Sequence, residues 1–114
     1  MIGDIVGRPG RRAVRRLLPQ LVAGQSVDFV MANCENAAGG FGLSRGSAEE
    51  LRGYGIEAMT MGNHVWGNKE IYQFIDESPH LVRPVNFPEG APGRGETTVQ
   101  LGNGDLVGVV NVCG

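Results

Sequence analysis

The sequence predicts a layered α/β fold with a largely parallel sheet, in the order βαβαβα followed by a β-hairpin. Short apolar runs alternate with stretches of helical periodicity, the pattern of parallel strands joined by helices. Polar and acidic side chains directly follow the first three predicted strands. Because ligands of open α/β sheets gather beyond the carboxyl ends of the strands, these positions also indicate where a functional site would lie.

The first half of the chain is predicted to contain two strands and one long helix. Residues 1–3 resemble the end of a strand, and Pro9 suits the first turn of the helix that follows. Pro19 should kink that helix or end it early. The apolar run 27–32 is typical of a strand covered on both faces. The apolar face of the helix, with the arginines pointing away, comprises Ala13, Val14, Leu17, Leu18, Leu21 and Val22.

The second half predicts shorter elements. Ser47 has capping-box spacing to Glu50 and should open a short helix that ends near Gly53 or Gly55. Asn68 can cap another helix. Asn103-Gly104 is a strong hairpin signal because this pair tolerates the positive φ angles of a tight turn. The predicted strands are 56–61, 81–85, 97–101 and 106–112.

Composition narrows the class of protein. With 114 residues, 41% hydrophobic and 19% charged, the chain has the composition of one soluble globular domain. No apolar run approaches the ~20 residues of a membrane span. Cys34 and Cys113 form no disulfide framework, which suits a reducing cytoplasm. The basic cluster at positions 8, 11, 12, 15 and 16 is interpreted as a solvated helix face, with anion or RNA steering as the alternative.

Three strand exits carry hard metal ligands. Asp4 follows the first strand, Glu35 and Asn36 follow the second, and Asn63 and His64 follow the third. An acid placed directly after a buried strand would be desolvated unless it were paired or bound to a cation. The shared location predicts a metal site at one edge of the sheet, and such a site suits phosphoester hydrolysis.

Each of these residues also has an ordinary structural interpretation. Asp4 could cap a turn, Asn36 and Asn63 could be turn residues, and His64 could be a hydrogen-bonded structural histidine. Trp66 is interpreted as packing, with base stacking as the alternative. The glycines at 3, 7 and 10 match neither the P-loop nor the dinucleotide fingerprint.

Taken together, the motifs resemble the calcineurin-like metallophosphoesterases of the YmdB type. The Gly-Asn-His motif is shared with the broad phosphoesterase superfamily, whereas Glu-Asn-Ala-Ala and Arg-Pro-x-Asn-Phe-Pro narrow the resemblance to this branch. The usual Asp-x-His opening of the superfamily is Asp4-Ile5-Val6 here, which the YmdB branch also shows. The matching segments are 3–10, 33–39, 60–66, 69–71, 81–90 and 92–93.

The resemblance implies a layered phosphoesterase fold with two divalent metal ions, iron or manganese first and magnesium or zinc as alternatives. It implies phosphodiester substrates that include 2′,3′-cyclic nucleotides. Asp4 would bind one metal ion and Glu35 would bridge the pair. Asn36 and Asn63 would bind the second ion, and His64 would be the general acid. Two such cations activate a shared water and clamp the phosphate oxygens.

The family pattern continues beyond this chain. Family members have a second half with a His-x-His pair of ligands, and neither His64 nor His80 belongs to such a pair. We therefore expect residues 1–114 to be a single incomplete domain, the N-terminal part of the family domain. Alone, it should bind metal weakly, be nearly inactive and self-associate through an uncovered sheet face. The competing hypothesis is a non-catalytic α/β module that binds a nucleotide or phosphate, or serves as an interaction surface.

Overall fold

A three-stranded parallel sheet lies at the centre of the computed structural model, which describes all 114 residues. Its strands are β1 (Met31–Asn33), β2 (Ala58–Thr60) and β3 (Leu81–Val82), in that spatial order. Ile2 adds a single parallel bridge to Ala32 on the outer side of β1. The α/β class with a parallel first half is confirmed. The segment at residues 1–3 contributes a strand end, as predicted.

Helices cover one face of this sheet. They are α1 (Gly7–Gln25), α2 (Arg45–Gly53) and a 3₁₀ helix (Lys69–Gln73). Val14 and Leu18 of α1 and Leu51 of α2 pack into one core with Met59 and Leu81. Asn68 caps the 3₁₀ helix as predicted, because its Oδ1 accepts a hydrogen bond from the N–H of Glu70 at 3.0 Å.

The other face carries the predicted hairpin, β4 (Glu96–Gln100) paired antiparallel with β5 (Leu106–Val110). A small cluster of Ala58, Val82 and Val109 joins the hairpin to the sheet. Outside it, Val110 is 60% exposed and Val112 is 65% exposed. Apolar surface on this side is therefore only partly covered within the chain. None of the helices is long and apolar enough to cross a membrane.

The prediction for Pro19 was a kink or an early end of α1, and the early end was wrong. The helix does not end early at Pro19 but continues to Gln25. Because proline has no backbone N–H, one carbonyl of the preceding turn lacks its helical hydrogen bond. Pro19 is exposed, so water can donate a hydrogen bond to that carbonyl instead. The apolar face is also narrower than predicted, because Leu17 and Leu21 are about half exposed. Only the stripe that faces the sheet is buried.

Arg11 is the exception to the prediction that the arginines point away. Its guanidinium donates to the carbonyl oxygens of Ala37 and Ala38 at 2.5 and 2.9 Å and pairs with Glu50 at 2.7 Å. The Glu50 carboxylate also accepts a hydrogen bond from the Tyr54 hydroxyl at 2.7 Å. Hydrogen bonding from Tyr54 and the nearby Arg11 lower the pKa of Glu50. Arg11 therefore ties α1 to the loop after β1.

The other element boundaries differ modestly from the predictions. β1 begins at Met31 rather than Val27, because the first residue of this run to pair with β2 is Met31, opposite Ala58. On the other side, the single bridge to Ile2 is made by Ala32. Val27 is consequently exposed. Residues 29–32 are covered on both faces as predicted: Val30 and Ala32 lie in the core on the helix side, and Phe29 and Met31 pack against the cluster on the hairpin side. α2 begins earlier than predicted: Ser44, not Ser47, is its N-cap, and the Ser44 hydroxyl accepts from the N–H of Ser47 at 3.2 Å.

Candidate active site

The carboxyl ends of the strands lie side by side, because the register aligns Asn33 with Thr60 and Thr60 with Val82. The loops that leave these ends carry the predicted site residues. Asn111 stabilises this edge of the sheet: its side-chain amide donates to the carbonyl oxygens of Met61 and Val82. The Met61 carbonyl immediately precedes the Gly-Asn-His motif, so Asn111 helps to fix the loop.

Asp4 is held in an uncommon backbone conformation. Its φ angle is 25°, in the left-handed region that residues other than glycine seldom adopt. Backbone bonds on either side hold it there, from the N–H of Ile5 to Asn33 at 3.0 Å and from the N–H of Gly7 to Asn36 at 2.9 Å. Such strain is typical of functional sites, where surrounding structure over-determines the conformation.

Glu35 is largely enclosed, with 17% of its side chain exposed. Its carboxylate accepts hydrogen bonds from the backbone N–H of His64 at 3.0 Å and from Asn33 Nδ2 at 3.3 Å. No lysine or arginine forms an ion pair with Glu35 or with Asp4. Two carboxylates without a lysine or arginine partner leave negative charge that a bound cation could neutralise.

A continuous hydrogen-bonded chain joins Asp4, Asn36 and His64. Asn36 Nδ2 donates to Asp4 Oδ1 at 2.7 Å, and Asn36 Oδ1 lies 2.6 Å from His64 Nδ1. With this amide orientation Nδ1 carries the hydrogen, because the amide oxygen can only accept. Nε2 is then the ring nitrogen left for a ligand or substrate. The imidazole is 35% exposed and stands 3.9 Å from Glu35 through Nδ1.

Asn63 lies in the same turn as His64 but apart from this chain of contacts. It is exposed, and its side chain makes no hydrogen bond within the protein. The structure therefore joins Asp4, Glu35, Asn36 and His64 by direct contacts. It brings Asn63 only to the same loop, with its amide free.

The sequence interpretation missed Asn33. Its Nδ2 orients Glu35, while its buried Oδ1 has no hydrogen-bond partner. A polar residue that ends an apolar strand just before Cys34-Glu35 was the available signal. Asn111 left no such signal, because its contact with Met61 joins residues 50 positions apart.

The donor set fits a hard divalent cation. Carboxylate and amide oxygens predominate, and the orphaned Oδ1 of Asn33 adds a buried acceptor to the same edge. No group of three or more histidine, cysteine, aspartate or glutamate side chains forms a metal cluster in this chain. Cys34 is fully buried, and this burial raises the pKa of its thiol to about 12.

The parallel sheet with these loops defines an α/β domain of the phosphatase type. One solved relative is described as a novel phosphatase from Mycoplasma pneumoniae; it is 32% identical with a TM-score of 0.89, and the match covers 99% of this chain and 41% of that one. A hypothetical protein from Thermus thermophilus is 43% identical with a TM-score of 0.90, over 99% of this chain and 43% of that one.

Within this class, the chain belongs to the YmdB-like protein family, whose model matches residues 1–114. It is 49% identical over 113 residues to a Bacillus subtilis protein named 2′,3′-cyclic-nucleotide 2′-phosphodiesterase. That alignment covers 99% of this chain and 42% of the relative. The chain thus spans about two fifths of the length of the relatives it matches. The resemblance found in the motifs is confirmed.

Proposed function

We propose that the chain forms part of a metal-dependent phosphodiesterase that hydrolyses phosphodiesters such as 2′,3′-cyclic nucleotides. The observation that carries this proposal is Glu35, a mostly buried carboxylate that pairs with no lysine or arginine, beside the chain from Asp4 to His64. The names of its relatives, phosphodiesterase and phosphatase, support the reaction class.

Asp4, Glu35, Asn36 and Asn63 would hold the metal ions. Asn36 Oδ1 faces His64, but an amide oxygen has two lone pairs and can serve a cation as well. When bound, divalent ions lower the pKa of water and neutralise charge on the phosphate oxygens. The oxygen-rich donor set favours Mn²⁺, Mg²⁺ or iron over a thiolate zinc site.

His64 is assigned the role of general acid. Asn36 fixes the tautomer and the ring orientation, so that protonated Nε2 can give its proton to the leaving oxygen. The Asp4 carboxylate at the far end of the chain polarises the Asn36 amide and stabilises the charged imidazolium. The Glu35 carboxylate accepts a hydrogen bond from the backbone N–H of His64 and so helps to fix the position of this residue.

The two histidines of the chain offer a matched comparison for this role. In the full-length protein, His64→Ala should retain metal and lose about 10²–10⁴-fold in turnover of a diester with a poor leaving group. With an activated nitrophenyl leaving group the loss should be smaller. His80→Ala, outside the site, should keep both rates. If His64→Ala removes metal as fully as Glu35→Ala does, His64 is a ligand and the assignment is wrong.

A folded full-length protein with no divalent metal and no Mn²⁺-stimulated turnover would contradict the proposed function. It would favour the non-catalytic nucleotide- or phosphate-binding module instead. We also propose that residues 1–114 are one incomplete domain, whose further ligands come from the rest of a longer chain. This segment alone should then show trace activity only.

The exposed arginines support RNA as a further anionic partner. Arg8, Arg12 and Arg16 line a groove of about 680 Å³ along α1, and no acid pairs with them.

The partly covered hairpin side supports self-association of the segment, with Val110 and Val112 exposed. Mass in solution and salt-dependent binding of an oligoribonucleotide test these two proposals. We propose a cytoplasmic location on the cysteine usage alone.

A further inference from the structure

Phe41 is an exposed aromatic residue at the edge of the candidate site. Its ring centroid lies 4.5 Å from that of the His64 imidazole, with the planes tilted by 48°. The phenyl ring also rests on the backbone of Gly67, where an added Cβ would come within 2.5 Å of Phe41 Cδ1. Even so, Phe41 remains 55% exposed. Core packing does not explain an apolar ring presented to water beside His64.

The loop that carries Phe41 is anchored to the site. The N–H of Gly42 donates to the Glu35 carbonyl at 2.5 Å, and the N–H of Gly40 donates to the Asn36 carbonyl at 3.1 Å. Gly42 has a φ angle of 76°, and a Cβ there would lie 2.8 Å from the Cβ of Asn68. Only glycine therefore allows this turn to seat so closely, and the turn fixes Phe41 above His64.

We propose that Phe41 is a stacking platform for the base of a nucleotide substrate. This inference rests on the proposed function and deepens it. The exposed phenyl ring lies against the His64 imidazole, so it is close to any phosphate bound there, and the base of a nucleotide is only one ribose away from its phosphate. Aromatic side chains stack on any base, since every base has a π-face. The platform would select substrates that carry a base over other phosphodiesters.

The test compares substrates with and without a base in the full-length protein. The probes are adenosine 2′,3′-cyclic phosphate and the base-free 1-O-methylribose 2,3-cyclic phosphate. Phe41→Leu should raise KM for the nucleotide by about 5- to 150-fold, the usual effect of removing a stacking ring, with kcat little changed. It should leave kcat/KM for the base-free compound unaltered. Phe41→Trp should restore the nucleotide KM.

Tyr72 supplies the matched control, because it is an aromatic residue 51% exposed whose ring stacks on Trp66 instead. Tyr72→Leu should change neither KM nor kcat for either substrate. If Phe41→Leu lowers kcat for both substrates and shifts the pH profile, the ring only positions His64 and the platform is refuted. An unchanged KM for the nucleotide refutes it as well.

A binding measurement separates this inference from the proposed function. If the wild-type protein hydrolyses neither substrate, the proposed function fails, and calorimetric binding of adenosine 3′-monophosphate still tests the platform. Phe41→Leu should weaken that binding several-fold while binding of ribose 3-phosphate stays the same. Equal binding by both proteins, or no binding by the wild type, would overturn the inference.

Discussion

Gly62 keeps the space into which the Glu35 carboxylate fits. A Cβ on Gly62 would lie 2.5 Å from Glu35 Oε2 and 2.7 Å from its Cδ. Ordinary contact needs about 3.5 Å, so in Gly62→Ala the carboxylate must retreat by about 1 Å. The hydrogen bonds from His64 and Asn33 converge on this one carboxylate, and a shift of that size breaks at least one of them.

Breaking a hydrogen bond to a charged group costs about 1.5–3 kcal/mol, while replacing glycine by alanine returns about 0.4–1 kcal/mol through the unfolded state. We therefore expect Gly62→Ala to lower the free energy of unfolding by about 1–2 kcal/mol, measured by urea denaturation with circular dichroism. It should also reduce metal binding by the full-length protein. Gly108→Ala is the control, because nothing lies within 4 Å of a Cβ built there. Equal stability and metal content in the two variants would refute the reasoning about Glu35.

Three further predictions concern residues outside the catalytic contacts. Arg11→Met should destabilise the fold by about 1–3 kcal/mol because it removes the donor to two carbonyls, while Glu50 keeps its hydrogen bond from Tyr54; the exposed Arg12→Met should stay within about 0.5 kcal/mol in the same urea assay. Cys34, whose thiol pKa burial raises, should resist iodoacetamide until the protein unfolds, while half-buried Cys113 should react in the folded state; equal rates by mass spectrometry would contradict this. Burial and Arg52 lower the pKa of His80 below its ordinary value of 6.5. The unfolded state therefore takes up a proton first as the pH falls through about 6.5, and stability declines in that direction. His80→Gln should flatten this decline in urea midpoints, and an unchanged slope would count against it.

Much of this candidate site was predictable from the sequence because each candidate ligand follows the end of a strand. Parallel strands bring their carboxyl ends to one edge, so local patterns at Asp4, Glu35 and His64 were enough to predict their convergence. The hairpin was equally local, since Asn103-Gly104 specifies its own turn.

The features that the sequence did not predict depend on long-range contacts. Helical periodicity placed Leu17 and Leu21 on the apolar face, but only Val14 and Leu18 of that face are buried in the tertiary structure. Arg11 looks like its neighbours in sequence, yet the carbonyls of residues 37 and 38 draw it inward. Asn111 acquires its role from a loop 50 residues earlier. Such contacts are set by tertiary packing rather than by local pattern.

Glu35 and Asp4 are proposed to hold divalent metal for phosphodiester hydrolysis. The most direct test is the metal content of the full-length protein, purified without chelators and measured by mass spectrometry beside Glu35→Gln. This variant keeps the size of the side chain and removes its charge. We expect bound manganese or iron in the wild-type protein and a marked loss of bound metal in Glu35→Gln. Equal metal content in both, or a well-folded wild type with no divalent metal, would contradict it.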